Sequence, residues 1–354
     1  MVVQVAVLDD YQDFAPAHFD KLSGSTFAVR YFPETLRPHN HPDTPQHIKD
    51  ELVSRLEPFE VISTMRERTP FPKELIHRLP RLKLLLSTGL RNLSIDMDAC
   101  QARGIPVTAA WSKPLGPIDS TSEHIVTMIL AVCRQIAQND TAVKAGLWQT
   151  GFATGVSGKT LGLVGLGKLG SSIARIMHTT FGMKIIAWSP NLTQLAADEK
   201  AKAHGLPSEL PNGNKTFEAV SREQVFEGAD VVSVHLTLSE RSRGLITKSD
   251  LSRMKPSSFF VNTSRGPLVV EEDLLGILRA GKIRGAALDV FDLEPLPADS
   301  EWRSADWGKD GKSQVLVTPH VAYVEEREIG GWYEQQVQDL LNWSSGKPLN
   351  KTMY

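Results

Sequence analysis

The chain lacks several features that would place it in other classes of protein. It has only two cysteines in 354 residues, Cys100 and Cys133, which is too few for a framework of disulfides. Its 39 basic and 41 acidic residues nearly cancel and form no run of one sign, so neither a nucleic-acid partner nor a basic membrane face is indicated. No stretch approaches the roughly 18 apolar residues of a membrane span. These absences favour small-molecule partners and a reducing, cytoplasmic setting.

What is present suffices for two domains. Hydrophobic residues make up 41% of the chain, and a domain commonly holds roughly 100–200 residues. The opening segment MVVQVAVLDD is apolar for only about eight residues before two aspartates, which is too short for the apolar region of a signal peptide. We interpret it as a first strand. Cys133 lies in the apolar helical segment HIVTMILAVC, and we expect it to be a small residue of the core.

Short apolar runs alternate with helix-like stretches in two series. The first series contains VVQVAVL, FAVRY, EVIST, LKLLLS and IPVT. The second begins near residue 160 and contains TLGLVG, MKIIAW, ADVVSVH, SSFFVN, IRGAALDV and VLVT. Such alternation predicts an α/β protein whose parallel sheets are covered by helices on both faces.

Other segments complete the predicted architecture. The Thr44-Pro45 pair is typical of a helix start and predicts a helix over residues 44–56. The apolar spacing predicts one long helix over 119–138 that joins the domains. A last helix, over about 325–346, follows the second series, so we expect it to fold back onto the first domain. Residues 205–217 and 297–313 are predicted surface insertions.

The second series opens with the motif GLGKLG, between the strand TLGLV and a predicted helix. Glycines at this spacing let the backbone turn tightly and approach a pyrophosphate, which then lies at the positive end of the helix. In a chain with 26 glycines the spacing alone is a weak signal, and an ordinary glycine-rich turn is the alternative. The strand before it and the helix after it favour dinucleotide binding. The loop residues predicted to contact the cofactor are Gly165, Gly167, Lys168, Leu169 and Gly170.

An acidic residue typical of folds that prefer NAD is missing. That residue usually follows the glycines by about 20 positions and accepts hydrogen bonds from the adenosine ribose. Here no acidic residue occurs over residues 171–197, and Ser189 holds the corresponding place. A 2′-phosphate would then meet no carboxylate, and Ser189, Asn191 and Thr193 can donate hydrogen bonds to it. We therefore favour NADP(H), with NAD(H) left open.

Four ionisable residues occur in order in the last third of the chain, each at the end of a short apolar run. They are Arg265 in NTSRGPLV, Asp289 and Glu294 in AALDVFDLEP, and His320 in LVTPH. A guanidinium, two carboxylates and an imidazole can hold a small acid and move its proton, which suggests proton-coupled hydride transfer. Each residue alone has an ordinary alternative, such as a solvated histidine, a Glu-Pro turn or a loop after a strand. Their joint occurrence favours catalysis.

These motifs resemble the D-isomer-specific 2-hydroxyacid dehydrogenase family over essentially the whole chain. The resemblance is carried by STGLRNLSIDMDACQARGIPVT, SEHIVTMILAVCR, LGLVGLGKLGSSIAR, ADVVSVHLTLSERSRGLI, FFVNTSRGPLVVEEDLLGILRAGKIRGAALDVFDLEP and TPHVAY. It implies an NAD(P)-binding Rossmann domain at residues 115–322, inserted into a flavodoxin-like substrate domain made of 1–114 and 323–354. It also implies that substrate meets nicotinamide in a cleft between domains, and a homodimer formed through helix 119–138 and the Trp148 segment.

Three residues are expected to carry the reaction. His320 would donate a proton to the ketone oxygen as hydride arrives, and would take it back in the reverse direction. Glu294 would hydrogen-bond to His320, fix its tautomer and favour its imidazolium form. Arg265 would bridge the 2-oxo-carboxylate, because its planar fork suits two oxygens better than a lysine does.

Other residues are expected on the cofactor side. Asp289 would hold the nicotinamide carboxamide, although a buried structural acid is the alternative. His124 in SEHIV is expected to pack rather than react. The remaining residues predicted to contact the cofactor are His235, Leu236, Thr263 and Thr121.

Substrate contacts are expected after the fourth strand, where the family's backbone supplies amides to the substrate carboxylate. Thr88 and Gly89 hold that place, and Gly89 permits a close backbone approach. The segment TMRER, residues 64–68, could also face the substrate or be a solvated surface. Trp111 and Tyr323 could wall the pocket or simply pack. No metal is expected.

The sequence is therefore interpreted as an NAD(P)-dependent 2-ketoacid reductase acting on a glyoxylate-like or hydroxypyruvate-like acid. Glu294 argues against a formate dehydrogenase, which would have glutamine there, and the length argues against a phosphoglycerate dehydrogenase with a regulatory domain. The alternative is a nucleotide-sensing scaffold, because some relatives keep this fold as corepressors.

Overall fold

The computed structural model describes residues 2–22, 24, 26–111 and 116–354, and its contacts divide the chain into two compact units. The first consists of Met1–Leu115, Leu293–Pro295 and Val324–Tyr354, and the second of Gly116–Asp292 and Leu296–Tyr323. The predicted boundary between residues 114 and 115 lies outside the described residues. Both chain ends belong to the first unit, so the second is an insertion in the sequence.

The first unit contains a five-stranded sheet in which every neighbouring pair is parallel. Its strands are β1 (Val3–Leu8), β2 (Phe27–Phe32), β3 (Val61–Thr64), β4 (Leu84–Thr88) and β5 (Val107–Ala110). Their order, β2-β1-β3-β4-β5, is that of flavodoxin-like folds. The first helices are α1 (Pro16–Phe19), α2 (Gln46–Leu56), α3 (Lys73–His77) and α4 (Met97–Ala102), and a 3-10 turn spans Asp20–Leu22.

The second unit contains a seven-stranded parallel sheet. Its strands are β6 (Thr160–Val164), β7 (Lys184–Trp188), β8 (Phe217–Ala219), β9 (Val231–Val234), β10 (Phe259–Asn262), β11 (Gly285–Leu288) and β12 (Gln314–Val317). Its helices are α5 (Ser120–Arg134), α6 (Ile136–Lys144), α7 (Lys168–Phe181), α8 (Gln194–Ala203), α9 (Arg222–Gly228), α10 (Lys248–Leu251) and α11 (Glu271–Arg279), with 3-10 turns at Gly266–Leu268 and Glu301–Arg303. Two apolar clusters, one on each face, bury this sheet. The predicted α/β fold with two parallel sheets is confirmed.

The order of the larger sheet, β12-β11-β10-β9-β6-β7-β8, reverses between β6 and β9. At such a switch point the loops after two adjacent strands diverge, and ligands of open α/β sheets bind outside the carboxyl ends of the strands there. The glycine loop follows β6 and His235 follows β9, so both lie at this position.

The last helix, α12 (Glu326–Ser344), belongs to the first unit and packs against β4 and β5. Gln336 fixes it there, because its buried side chain accepts a hydrogen bond from Ser63 Oγ at 2.7 Å and donates to Leu86 O at 2.9 Å. No helix within the described residues combines the length and apolar character needed to cross a bilayer.

Three predicted elements are wrong in detail. Thr44 does not cap α2, since its hydroxyl donates to Pro38 O at 2.7 Å, and Pro45 precedes the helix in an extended conformation. The predicted helix over 119–138 is two helices, because Gln135 adopts a left-handed φ of 54° that ends α5. The insertion predicted over 205–217 runs into β8, a three-residue strand that the apolar pattern missed.

Candidate active site

The loop after β6 and the first turn of α7 hold three glycines with different surroundings. Gly165 has a φ of +108°, and a Cβ there would lie 2.9 Å from the carbonyl carbon of His235. A Cβ on Gly170 would lie 2.1 Å from the carbonyl oxygen of Gly165. At Gly167, by contrast, an added Cβ would meet open space. Gly165 and Gly170 therefore permit close packing of backbone against backbone, whereas the space next to Gly167 is open.

The helix α7 begins at Lys168 without a side-chain cap, with Gly167 as its N-cap residue. Uncapped amides at the positive end of a helix dipole bind anionic groups. Lys168 and Leu169 lie in this first turn. The loop and helix start fit a dinucleotide, because their backbone amides can hold its pyrophosphate where Gly167 leaves room.

Two predicted cofactor contacts carry unsatisfied polar groups. Both ring nitrogens of His235 are buried and have no hydrogen-bond partner among the described residues, and burial lowers the pKa of this histidine to about 4. The imidazole is therefore neutral near pH 7. The hydroxyl of Thr263, just after β10, is also buried and unpaired in the described part of the chain. Buried polar groups usually have partners, so these atoms are available to a bound ligand.

The predicted adenosine end follows β7. Ser189 begins a turn closed by Leu192, whose amide donates to Ser189 O at 3.1 Å. The guanidinium of Arg222 lies over the Trp188 ring at this strand end, 5.4 Å from its centroid. It also donates to both carboxylate oxygens of Asp250, at 2.8 and 2.7 Å, so its charge is compensated within the fold. Ser189 and the exposed Asn191 stay the predicted contacts for the ribose or a 2′-phosphate.

Arg265 follows β10 in a turn that its neighbours fix. Asn262 Nδ2 donates to Arg265 O at 3.0 Å, and Asn262 Oδ1 accepts from the Ser264 amide at 3.1 Å. Ser264 Oγ donates to the last carbonyl of β9 at 2.7 Å. A Cβ on Gly266 would lie 2.0 Å from the carbonyl carbon of Phe291, so only glycine fits there. The turn is thereby held against the segment that follows β11.

His320 lies in the turn after β12 and has a left-handed φ of +55°. A non-glycine residue in that region costs about 1–2 kcal/mol, which surrounding contacts must offset. The His320 amide donates to Thr318 O at 3.1 Å, and its ring is edge-on to Tyr323 with 5.7 Å between centroids. The side chain is only partly buried, so a substrate can reach it.

Asp289, just after β11, is fully buried. Its carboxylate accepts from the Thr318 hydroxyl at 2.6 Å and from the amides of Val321 and Ala322 at 3.0 and 3.1 Å. His124 of α5 has its Nε2 atom 3.3 Å from the same carboxylate. Burial raises the pKa of Asp289, but hydrogen bonds from His124, Thr318 and Val321 outweigh it and leave the pKa below its ordinary value. This geometry favours the buried structural acid over the carboxamide contact.

Arg265, Asp289 and His320 thus follow three adjacent parallel strands, β10, β11 and β12. Since parallel strands end at the same edge of a sheet, the three residues lie at the edge that also carries the glycine loop. Glu294 lies in Leu293–Pro295, which groups with the first unit, and its pairing with His320 stays a prediction. Thr121, in the first turn of α5, also stays a predicted cofactor contact.

In the first unit, the predicted substrate loop follows β4. The Thr88 hydroxyl is buried and accepts from the Arg66 amide at 2.8 Å. Gly89 has a φ of +83°, its amide donates to Ala110 O at 2.7 Å, and a Cβ there would lie 1.9 Å from an Arg66 guanidinium nitrogen. The Gly89 amide is therefore already used. Contact of Thr88 and Gly89 with substrate stays a prediction.

Sequence reasoning missed the contacts of three residues at these sites. Gly266 permits the close approach behind Arg265, Arg66 occupies the space that Gly89 leaves, and His124 contacts Asp289. The glycine after Arg265 was a readable signal, since glycine is the residue that permits a close approach of backbone. The other two depend on pairs far apart in sequence. Trp111 and Leu90 line an open cavity of about 460 Å³ within the first unit.

The chain is similar to several known proteins. Residues 126–322 match the family model described as D-isomer specific 2-hydroxyacid dehydrogenase, NAD binding domain. The chain is 33% identical over 304 residues to D-3-phosphoglycerate dehydrogenase of Mycobacterium leprae, a match that covers 85% of this chain and 51% of that protein. It is 25% identical over 311 residues to hydroxypyruvate reductase of Blautia hydrogenotrophica, which covers 85% and 87%.

Among solved structures, phosphoglycerate oxidoreductase from Vibrio cholerae superposes with a TM-score of 0.79 at 32% identity. The match covers 98% of this chain and 100% of that one. The chain spans about half the length of the D-3-phosphoglycerate dehydrogenase that it matches, but most of the hydroxypyruvate reductase.

Proposed function

The chain belongs to the D-isomer-specific 2-hydroxyacid dehydrogenase family, and we propose that it is an NAD(P)-dependent 2-ketoacid reductase. The observation that carries this proposal is the placement of Arg265 and His320 at the same sheet edge as the glycine loop. A carboxylate-binding guanidinium, a proton-donating imidazole and a dinucleotide site are the parts that such a reaction needs.

Each residue has a distinct task in this proposal. The bound nicotinamide supplies the hydride to the carbonyl carbon. His320 donates a proton to the ketone oxygen and recovers it in the reverse reaction. Arg265 binds the substrate carboxylate through two nitrogens, which orients the acid and polarises its carbonyl. Glu294, as predicted from the sequence, would hold His320 in the tautomer that donates.

The substrate is proposed to be a short 2-oxoacid of the glyoxylate or hydroxypyruvate kind. Support comes from the hydroxypyruvate reductase relative, because the chain covers 87% of its length. The D-3-phosphoglycerate dehydrogenase relative is about twice as long as the matched region, so its activity supports the reaction class more than the substrate.

NADP(H) is proposed as the preferred cofactor. Ser189 and Asn191 occur where folds that prefer NAD have an acidic residue, whose carboxylate would repel a 2′-phosphate. Both side chains can instead donate hydrogen bonds to that phosphate. The bidentate pairing of Arg222 with Asp250 limits the preference, because a compensated guanidinium attracts a phosphate less than a free one does.

A homodimer through the second unit is also proposed. Apolar side chains are exposed on and after α6, most strongly Phe152 at 91% and Trp148 at 77%. Large exposed apolar groups close together in sequence are typical of interfaces. Sedimentation of the wild type beside a Trp148→Ser/Phe152→Ser variant tests this, and a monomeric wild type would contradict it. A cytoplasmic location stays a prediction from the cysteine usage.

The reaction is tested by assaying glyoxylate, hydroxypyruvate, pyruvate and branched and aryl 2-oxoacids with NADPH and with NADH. We expect turnover of a short acid with a higher kcat/KM for NADPH. His320→Gln should lower kcat by roughly 10²–10⁴-fold while cofactor binding persists, because only the general acid is lost. His47→Gln, at an exposed position of α2, is the matched control.

Three results would each overturn a part of this proposal. Near-normal turnover by the His320→Gln variant would remove His320 as the proton donor. Tight cofactor binding without turnover of any 2-oxoacid would favour the nucleotide-sensing scaffold instead. A clear preference for NADH would contradict the proposed NADP(H) preference and leave the rest of the proposal intact.

A further inference from the structure

A buried polar group lies directly behind the His320 turn. It consists of Asp289 after β11, Thr318 after β12 and His124 on α5, a helix that packs against both strands. His124 Nε2 is 3.3 Å from Asp289 Oδ1 and 3.3 Å from Thr318 Oγ1. The three side chains therefore form one connected network within the second unit.

The carboxylate of Asp289 accepts hydrogen bonds from residues on both sides of His320 in the sequence. Its Oδ1 atom accepts from the Thr318 hydroxyl at 2.6 Å and from the Val321 amide at 3.0 Å. Its Oδ2 atom accepts from the Ala322 amide at 3.1 Å. One carboxylate thus fixes the residue two positions before His320 and the two residues after it.

This arrangement explains how the turn keeps an unfavourable conformation. The φ of +55° at His320 is disfavoured for a side chain with a Cβ, so the turn would relax if its flanks were released. Hydrogen bonds to an ionised carboxylate are stronger than those between neutral groups, and full burial protects them from water.

The same contacts leave Asp289 little capacity for a ligand. An ionised carboxylate has about four lone-pair positions. Thr318, Val321 and His124 approach Oδ1, whereas only the Ala322 amide donates to Oδ2. The carboxylate is fully buried, so a nicotinamide carboxamide could use only the remaining position on Oδ2.

We propose that Asp289 and His124 are positioning residues that, through Thr318, hold the turn that aims the His320 imidazole. This inference rests on the proposed function, in which His320 is the proton donor. His124, expected from the sequence only to pack, gains a task by contacting both the carboxylate and the hydroxyl that fix the turn.

The experiment compares Asp289→Asn, His124→Phe and Thr318→Val with wild type. In Asp289→Asn one carboxylate oxygen becomes an NH₂ group, so a turn amide or hydroxyl faces a donor. Each variant should lower kcat for 2-oxoacid reduction by about 10²-fold, since a misplacement near 1 Å costs that much. The dissociation constant for NADPH should change less than about twofold, because a turn shift removes no cofactor contact.

Three further measurements separate positioning from general destabilisation. Thr318→Ser keeps the hydroxyl and should restore most of the activity lost in Thr318→Val. Thr216→Val removes a buried hydrogen bond from the Thr216 hydroxyl to Pro207 O. This residue precedes β8, the outermost strand on the other side of the sheet from β12, so kcat should be unchanged. Hydrogen exchange at the Val321 and Ala322 amides should accelerate in Asp289→Asn.

The outcomes are distinct. If Asp289→Asn weakens NADPH binding and leaves both amides protected, Asp289 contacts the cofactor and the proposal is wrong. Unchanged kcat in Thr318→Val would also overturn it. If Asp289→Asn does not fold, the Thr318→Val and Thr318→Ser pair decides the matter. If the wild type reduces no 2-oxoacid, the proposed function fails, and amide exchange alone tests whether the network holds the turn.

Discussion

Replacing two glycines of the same loop with alanine should produce opposite defects. Gly170→Ala places a methyl group 2.1 Å from the Gly165 carbonyl oxygen, whereas ordinary contacts begin at 3.4 Å. Gly165 is tied to β7, because its amide donates to Trp188 O at 2.7 Å. Gly167→Ala meets no atom within 4 Å, and its φ of −76° suits alanine. The first change strains the empty protein, and the second only fills the space left for a pyrophosphate.

The magnitudes follow from these contacts. Overpacking at Gly170 should destabilise the second unit by about 1–3 kcal/mol, which lowers the thermal midpoint of a unit of this size by about 2–4 °C per kcal/mol. Gly167→Ala exchanges a good N-cap residue for a poorer one and should cost less than about 1 kcal/mol. Losing one charge-assisted hydrogen bond to the pyrophosphate, worth about 1.5–3 kcal/mol, should weaken cofactor binding by roughly 10- to 100-fold.

The assay pairs thermal unfolding of the cofactor-free protein with fluorescence titration by NADPH and NADH. We expect Gly170→Ala to lower the unfolding midpoint and Gly167→Ala to leave it nearly unchanged while raising the Kd. A Gly167→Ala protein that binds both cofactors like wild type would refute the assignment of this loop to the pyrophosphate. An undiminished midpoint in Gly170→Ala would show that the close approach to Gly165 is not required.

Three other predictions concern separate parts of the chain. Arg265→Lys should raise KM for the 2-oxoacid about 10- to 100-fold through loss of bidentate binding, and unchanged steady-state constants would contradict that role. The folded pKa of His235, about 4, lies below its ordinary value of 6.5, so the unfolded chain binds more protons between these values. As pH falls from about 7 to 5, wild type should lose about 2 kcal/mol of unfolding free energy that His235→Gln does not lose; parallel urea-denaturation profiles would contradict this. Gly276→Ala, on α11 with open space around the Cβ position, should stabilise the protein by about 0.5–1 kcal/mol, and a lower denaturation midpoint would count against that.

The parts of the fold that could be predicted are those with local signals. Strands buried on both faces are mostly apolar, so short runs rich in Val, Ile and Leu located eleven of the twelve strands in the described residues. The glycine loop was readable because a strand, a glycine-rich turn and a helix follow one another within one segment. β8 was missed because three residues, of which only Phe217 is fully buried, leave no clear periodicity.

The site shows the same division. The order of Arg265, Asp289, Glu294 and His320 is a property of the sequence, and it suggested the class of reaction, while the family was predicted from these residues together with the other motifs. The role of Asp289 was open, because burial and hydrogen-bond partners are not written in its neighbours. Only the tertiary structure placed His124, 165 positions earlier in the chain, against it.

By itself, therefore, the sequence determined which chemical groups the protein has and at which strand ends they occur. The tertiary structure decided which of these groups are already occupied. Asp289 accepts hydrogen bonds from the His320 turn, the Gly89 amide donates to Ala110 O, and the charge of Arg222 is paired with that of Asp250. Such pairings depend on contacts between residues far apart in the chain, and a local pattern cannot contain them.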